Sequence, residues 1–143
     1  MTGMQRRLLR LGNRVSVWLY RTSGGRMGNK ARGGTPVLIL TVAGRTSGKQ
    51  FSNPVAYFER DGGWLVVGSA GGLPQEPQWF RNLRATDSAS VELRDGLRHV
   101  SVSVLDGAER DDAFAQVLRE NPGFGVYEGK AGRLMPVALL TPR

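Results

Sequence analysis

Six short runs rich in aliphatic and aromatic residues, at about 35–43, 51–59, 64–70, 89–95, 97–106 and 134–141, divide this chain, and their spacing leaves few folds open. Asp61-Gly62-Gly63 and Asp95-Gly96 join neighbouring runs so closely that both must be hairpin turns. A parallel sheet would need a crossover of roughly a dozen residues or more between paired strands. The pattern therefore predicts a mainly β, α+β architecture: a small antiparallel barrel with helices plugging or flanking it.

Four segments carry helical rather than strand periodicity. From Met4 to Tyr20, Leu8, Leu11, Val15, Trp18 and Leu19 recur at helical spacing among Arg6, Arg7, Arg10, Arg14 and Arg21. Such a basic amphipathic helix packs on its own domain with a solvated cationic face, lies on an anionic lipid surface, or helps to hold an anionic ligand. Residues 22–34 read as a flexible, basic, Gly-rich linker. A second helix follows Pro77 and places Trp79 and Leu83 on one face. A third starts at Asp106, with Glu109 completing a capping-box pattern, and buries Phe114, Val117 and Leu118. A short fourth runs from Pro122 to Lys130, with Phe124 and Tyr127 one turn apart. The expected organisation is a basic helix and linker over 1–34 and a barrel domain over 35–143.

Composition removes several chemistries. The chain has no cysteine and one histidine, so disulfides, thiolate metal sites and the usual zinc centres are excluded, and no metal site is expected. His99 lies in an alternating strand with no nucleophile elbow near it, which argues against a Ser/His/Asp triad. No apolar run approaches the roughly 20 residues needed to span a bilayer, and Arg10, Asn13 and Arg14 interrupt what would be the apolar core of a signal peptide. A cytoplasmic protein is expected, with the N-terminal helix as its one means of touching a membrane.

Charge points to a ligand class. The first 58 residues contain ten Lys or Arg and no Asp or Glu, whereas the remaining 85 contain ten basic and twelve acidic residues. Within the basic part, Ala43-Gly-Arg-Thr-Ser-Gly-Lys-Gln50 invites comparison with a phosphate loop. Only three residues separate Gly44 from Gly48-Lys49, Gln50 stands where a magnesium-binding hydroxyl is needed, and a strand follows in place of a helix. A nucleotide hydrolase is thus disfavoured, but a Gly-flanked turn bearing Arg45, Thr46, Ser47 and Lys49 keeps the chemistry of an anion site. Taken alone, it could equally be a solvated hairpin tip.

Two more segments join it. Val67-Gly-Ser-Ala-Gly-Gly-Leu-Pro74 ends a strand in a small-residue turn that a planar ligand could approach, and Glu76-Pro-Gln-Trp-Phe-Arg-Asn-Leu83 follows directly. In this order, with Pro122-Gly-Phe-Gly-Val-Tyr127 and Arg133-Leu-Met-Pro-Val-Ala-Leu139, the chain resembles the deazaflavin-dependent nitroreductase and quinone reductase family from about Val15 to Arg143. These are split β-barrel, FMN-binding-like oxidoreductases that use coenzyme F420.

The resemblance implies a role for each segment. Arg45, Thr46 and Ser47, with Lys49 nearby, would hold the phosphate end of a coenzyme that carries a phosphodiester and an oligoglutamate tail. Phe51, Ser52, Asn53, Pro54 and Val55 would line its path. Val67, Gly68, Ser69 and Ala70 would meet the deazaflavin ring, and Gln78, Trp79, Phe80, Arg81 and Asn82 would close over it. Tyr127 would stand beside ring and acceptor, with Phe124 and Lys130 completing the substrate pocket. Tyr127 and Ser69 are the expected catalytic hydroxyls, and the implied reaction is hydride transfer from reduced deazaflavin to a quinone-like or nitroaromatic acceptor.

Two cofactor-contact positions depart from the family pattern: Ala70 stands where many relatives carry Lys, and Phe51 where a basic residue is common. Lys49 is placed to compensate for one of them. Phe124 and Lys130 stand where the best-known nitroreductases present further tyrosines, so the acceptor pocket has fewer hydroxyl donors. FMN binding by the same barrel and a non-catalytic deazaflavin carrier are the competing readings. Nonspecific nucleic-acid binding is disfavoured because aromatic residues are not interleaved with the basic run, apart from Trp18 and Tyr20. The oligomeric state is open between monomer and homodimer.

Overall fold

The computed structural model describes residues 3–31 and 34–143; Arg32 and Gly33 of the expected linker lie outside the described residues, as do Met1 and Thr2. In chain order the elements are α1 (Gly3–Thr22), β1 (Val37–Ala43), β2 (Gln50–Arg60), β3 (Gly63–Val67), a 3-10 turn (Ala70–Gly72), α2 (Gln78–Arg84), β4 (Ser88–Leu93), β5 (Gly96–Val104), α3 (Gly107–Glu120), α4 (Gly123–Ala131) and β6 (Val137–Pro142). The six strands close into an antiparallel barrel in the order β1-β2-β3-β6-β5-β4. All six expected strands and all four helices are present, with ends shifted by a few residues.

Strand β1 explains why its sequence is apolar without alternation. Leu38, Leu40 and Val42 point into the barrel with Val55, Val66, Val91, Val100, Ala138 and Leu140, while Ile39 on the opposite face packs under Val17 and Tyr20 of α1. A strand covered on both faces has no polar side to show. Helix α2 stoppers the barrel, since Phe80 and Leu83 are fully buried among the interior side chains. Helices α3 and α4 cover another outer face, where Phe114, Val117 and Phe124 pack on Phe58, Leu65, Val67 and Val137.

Strand β2 changes partner along its length. Residues 50–56 pair with β1 and residues 57–60 pair with β3, so the first half has no second strand beside it. Pro54, which cannot donate to a ladder on either side, is tolerated in this half for that reason. Helix α1 lies across the gap: the Asn13 side-chain amide donates to Asn53 Oδ1 at 2.9 Å, and Arg21 donates to Ser52 Oγ at 3.2 Å while pairing with Glu92 at 2.6 Å. That pairing raises the Arg21 pKa above its ordinary value, chiefly through its hydrogen bond to Glu92.

One local expectation needs correction. Asp106 occupies the N-cap of α3, but its side chain caps nothing. Gly107 takes a left-handed φ of 52°, which turns the first amides of the helix away from the carboxylate and defeats the capping box. The described part of the segment after α1 makes backbone hydrogen bonds: Gly25 N donates to Tyr20 O at 2.8 Å, Ala31 N to Thr35 O at 2.7 Å and Val37 N to Asn29 O at 2.8 Å.

Candidate functional site

The turn between β1 and β2 is built by its glycines. Gly48 has φ 72°, and a side chain at Gly44 would meet the Phe51 ring and Ser47 Oγ at 2.8 and 2.9 Å. Phe51 therefore lies against the turn itself, exposed on its outer side. Ser47 Oγ accepts from Lys49 N at 3.2 Å, and Thr46, Ser47 and Lys49 all face solvent.

Arg45 joins this turn to the start of α2. Its backbone amide and Nη1 both donate to Asn82 Oδ1, at 3.1 and 2.8 Å, and Nη2 donates to Gln78 Oε1 at 2.8 Å. Both acceptors are neutral amide oxygens, so the fork is fixed without its charge being neutralised. Among the described residues, Arg6, Arg7, Arg10, Arg14, Arg26, Lys30, Arg45 and Lys49 form no ion pair, whereas Arg21 does. The basic half thus keeps most of its positive field available to a ligand.

From α2 the contacts run on to the second segment. A side chain at Gly68 would strike Phe80 at 2.9 Å and Pro136 at 2.8 Å, so the end of β3 lies directly against this helix and the approach to β6. Beyond it, Ser69 and Ala70 are half-buried, and Ala70 holds a left-handed φ of 48°, an uncommon state for a residue with a Cβ. The turn then packs on α4, where Gly72 approaches Tyr127 O and the Lys130 stem. The Tyr127 ring meets Phe124 edge-on at 5.4 Å, and Phe124 meets Phe58 at 5.6 Å. Tyr127 is half-buried over an aromatic stack, so its ring is placed by packing while Lys130 remains exposed.

The sequence-derived residues thus fall into distinct environments. Arg45, Gln78, Asn82, Gly68, Ser69, Ala70, Tyr127 and Lys130 lie along one continuous path of contacts from the β1–β2 turn to α4. Trp79 is half-buried beside Phe80, with ring centroids 5.5 Å apart, and Arg81 is half-buried next to it. Phe80, Val55, Val67 and Phe124 are core residues whose side chains fill the protein interior. Ser52 and Asn53 are engaged by α1. Two surface clefts, of about 360 and 260 Å³, lie off this path: one, on β1, β4 and β5 with His99 and Arg143, borders the foot of the β1–β2 turn at Ala43 and Gln50, and the other lies beside Tyr57 and Glu120.

Two arginines that support this path are not apparent as such from the sequence. Arg110 is buried and bonds Met135 O through Nε and Nη2, at 3.1 and 2.8 Å, and Glu128 through Nη2 at 2.8 Å, which locks α4 onto α3 and the lead into β6. Arg133 reaches back to the 68–75 segment. Only the helical position of Arg110 on an otherwise apolar face could have drawn notice.

The donor set fits a coenzyme with a long anionic tail, because an exposed Gly-flanked turn with uncompensated cations is joined by contacts to a small-residue turn under an aromatic-bearing helix. Arg45, Thr46, Ser47 and Lys49 would hold its anionic end, and Ser69, Ala70 and Trp79 would border the planar end. Comparison with known proteins agrees. A family model described as F420H(2)-dependent quinone reductase matches residues 12–142. The F420H(2)-dependent quinone reductase Rv1261c of Mycobacterium tuberculosis is 30% identical over 141 residues, covering 95% of this chain and 91% of that protein. Among solved structures, an F420-H2 dependent reductase, FDR-A, superposes with TM-score 0.67 at 30% identity over 73% of this chain and 93% of its own. A chain described as a domain-swapped dimer superposes with TM-score 0.67 at 26% identity over 87% of this chain and 98% of its own. With that coverage, this six-stranded barrel belongs to the F420H(2)-dependent quinone reductase family.

Proposed function

We propose that the chain is an F420H2-dependent oxidoreductase whose acceptor is a small, planar, quinone-like molecule. The observation that carries this reading is the Arg45 turn, held to α2 through neutral oxygens so that its charge stays free for a polyanion. When bound, the reduced deazaflavin supplies a hydride. The chain's own tasks are then to fix two planar molecules face to face, exclude water and balance the charge that reaches the acceptor oxygen. The acceptor gains two electrons with the hydride and one proton, for which Tyr127 Oη and Ser69 Oγ are the donors at this end of the path, recharged from solvent. An extended set of unpaired cations suits a phosphodiester with an oligoglutamate tail better than the single phosphate of FMN.

A titration of the full chain with F420, followed by cofactor fluorescence at physiological salt with FMN and single-stranded DNA as competitors, tests this reading. Saturable binding that neither competitor displaces, followed by F420H2 oxidation with menadione, is the expected result. Binding of FMN in place of F420 would overturn it.

One observation supports a second partner. Met4, Leu8, Leu11, Val15 and Trp18 form a stripe on α1 that no other element among the described residues covers, with Leu8 and Trp18 each 63% exposed, and arginines without an ion pair among those residues flank it. That combination suits the surface of an anionic bilayer, where apolar side chains enter the headgroup boundary and arginines meet lipid phosphates. No helix among the described residues is long and apolar enough to cross a membrane, so the contact would be peripheral.

A further inference from the structure

Helix α4 stops at Gly132, whose left-handed φ of 66° reverses the chain and sends the next side chain back across the molecule. That residue is Arg133. Its Nε donates to Leu73 O at 3.2 Å, and its Nη2 is directed at Gly68 O, Ser69 O and Gln75 O at 3.2, 3.3 and 3.2 Å. Four carbonyls of one eight-residue stretch therefore converge on a single guanidinium. Nη1 is buried and has no acceptor, and no carboxylate among the described residues pairs with the group.

Apart from Arg133, the stretch is tied at its two ends, where Gly68 N donates to Pro136 O at 2.9 Å and Glu76 pairs with Arg84 at 2.9 Å. Between β3 and α2 its internal backbone bonds are Gly72 N to Ser69 O at 2.9 Å and Leu73 N to Ala70 O at 3.3 Å, and it must also keep Ala70 at positive φ. Carbonyl dipoles aimed at one point repel one another unless a cation lies between them, and a forked guanidinium with five N–H donors can meet several at once. Arg133 therefore sets the backbone that presents Ser69 and Ala70. It also leaves a positive charge, unspent on any acid, behind that turn. Arg133 as a whole is half-buried and only Nη1 is shut off from water, so its charge is screened less than that of an arginine in bulk solvent.

We propose that Arg133 is a positioning residue for the reductase reaction: it fixes the Ser69–Ala70 turn and holds beside it the positive charge against which the acceptor oxygen becomes negative. The inference rests on the proposed function for its second half only. Arg133→Lys keeps the charge but loses the fork, and Arg133→Met loses both. Hydrogen–deuterium exchange on the full chain without cofactor reads the first half, and steady-state F420H2 oxidation with menadione reads the second. Exchange across 68–76 should rise in both variants while β1 and β5 stay protected. Turnover should fall about 10- to 100-fold in Arg133→Met, with a smaller change in KM, and recover in part in Arg133→Lys or on addition of guanidinium.

Unchanged exchange over 68–76 in Arg133→Lys would overturn the positioning role, whatever the cofactor. So would loss of protection throughout the barrel in Arg133→Lys, which would make the residue a brace of the whole fold. Should Arg133→Met not fold, the lysine variant and its rescue still decide. Equal turnover losses in the two variants without guanidinium rescue would overturn the charge role. A wild-type chain that binds no F420 would count against the proposed function and leave the exchange result standing.

Discussion

Arg45 and Asn82, 37 residues apart, share one oxygen: the backbone amide and the Nη1 of Arg45 both donate to Asn82 Oδ1, at 3.1 and 2.8 Å. Asn82 is buried, so this oxygen is the fixed point from which the exposed turn is hung. An amide there, in place of a carboxylate, leaves the arginine cationic in effect as well as in name. Asn82→Asp keeps an acceptor in place and adds the opposing charge. It should weaken F420 binding about tenfold or more with little change in melting temperature, because close opposite charges in a partly desolvated site couple by at least about 1.4 kcal/mol. Fluorescence titration beside thermal unfolding separates the two effects, and unchanged affinity would remove Arg45 from the anion site.

Gly68→Ala tests the packing between the end of β3, α2 and the lead into β6. The added methyl group has Phe80 at 2.9 Å and Pro136 at 2.8 Å in its way, and neither is the loose end of a flexible chain. Overpacking of this kind costs about 1–3 kcal/mol. Urea unfolding should show the loss as a lower midpoint, and a wild-type midpoint would mean that α2 can shift freely.

Tyr127→Phe removes a hydroxyl while keeping the edge-on contact with Phe124 at 5.4 Å. Folding and F420 affinity should therefore hold. If the hydroxyl gives a proton or hydrogen bond to the acceptor, kcat should drop by about 10-fold or more. Stopped-flow oxidation of F420H2 by menadione measures this step, and an unchanged rate would take Tyr127 out of the chemistry.

Alkaline pH should loosen α1. The Tyr20 phenol titrates above its ordinary value, first because it is buried and then because Tyr57 and Glu92 lie near it, and its Oη donates to Glu92 O at 3.2 Å. Tyr57 is shifted the same way, mainly by burial. A folded pKa above the unfolded one means that the contribution is whole below about pH 10 and is lost as pH rises through the higher folded value. Tyr20→Phe should lose about 1 kcal/mol at pH 8 from the missing hydrogen bond and show a shallower fall in stability above pH 10. Denaturant midpoints collected from pH 8 to 11 would reveal whether the two curves converge.

The uncovered stripe of α1 makes its own forecast. Replacing Leu8 and Trp18 by Glu should cut co-sedimentation with vesicles of mixed zwitterionic and anionic lipid at least about tenfold, since each large apolar side chain contributes about 1.5–3 kcal/mol when buried. Added salt should weaken the wild-type interaction through the arginines. Equal sedimentation of the variant and the wild type would end the lipid reading.

Much of this protein is legible in the chain because its information is local. Hairpin turns at Asp61-Gly62 and Asp95-Gly96, the apolar runs and the helical spacing of Phe114 with Val117 express short-range sterics and one-sided burial, and they predict the barrel and its helices. The asymmetry of charge is likewise a property of the sequence, as is the order of segments that resembles a reductase family. Local signals fail where a nearby backbone angle overrules them: Gly107 at positive φ disables the cap that Asp106 and Glu109 spell out.

What the chain alone leaves open is which side chain meets which across long separations. Ser52 and Asn53 are polar residues on a strand in any reading, and only folding brings Arg21 and Asn13 of α1 onto them. Phe80 and Phe124 look as suited to a ligand as Trp79 and Tyr127 until packing sends the first pair into the core. Arg133 meets its carbonyl partners across 58 to 65 residues, through a reversal at Gly132 that no periodicity announces. Composition and spacing thus determine the barrel, the basic half and the kind of ligand it suits. Closure of the barrel decides which oxygens face which cations, because a hydrogen bond depends on a few tenths of an ångström that only the packed structure supplies.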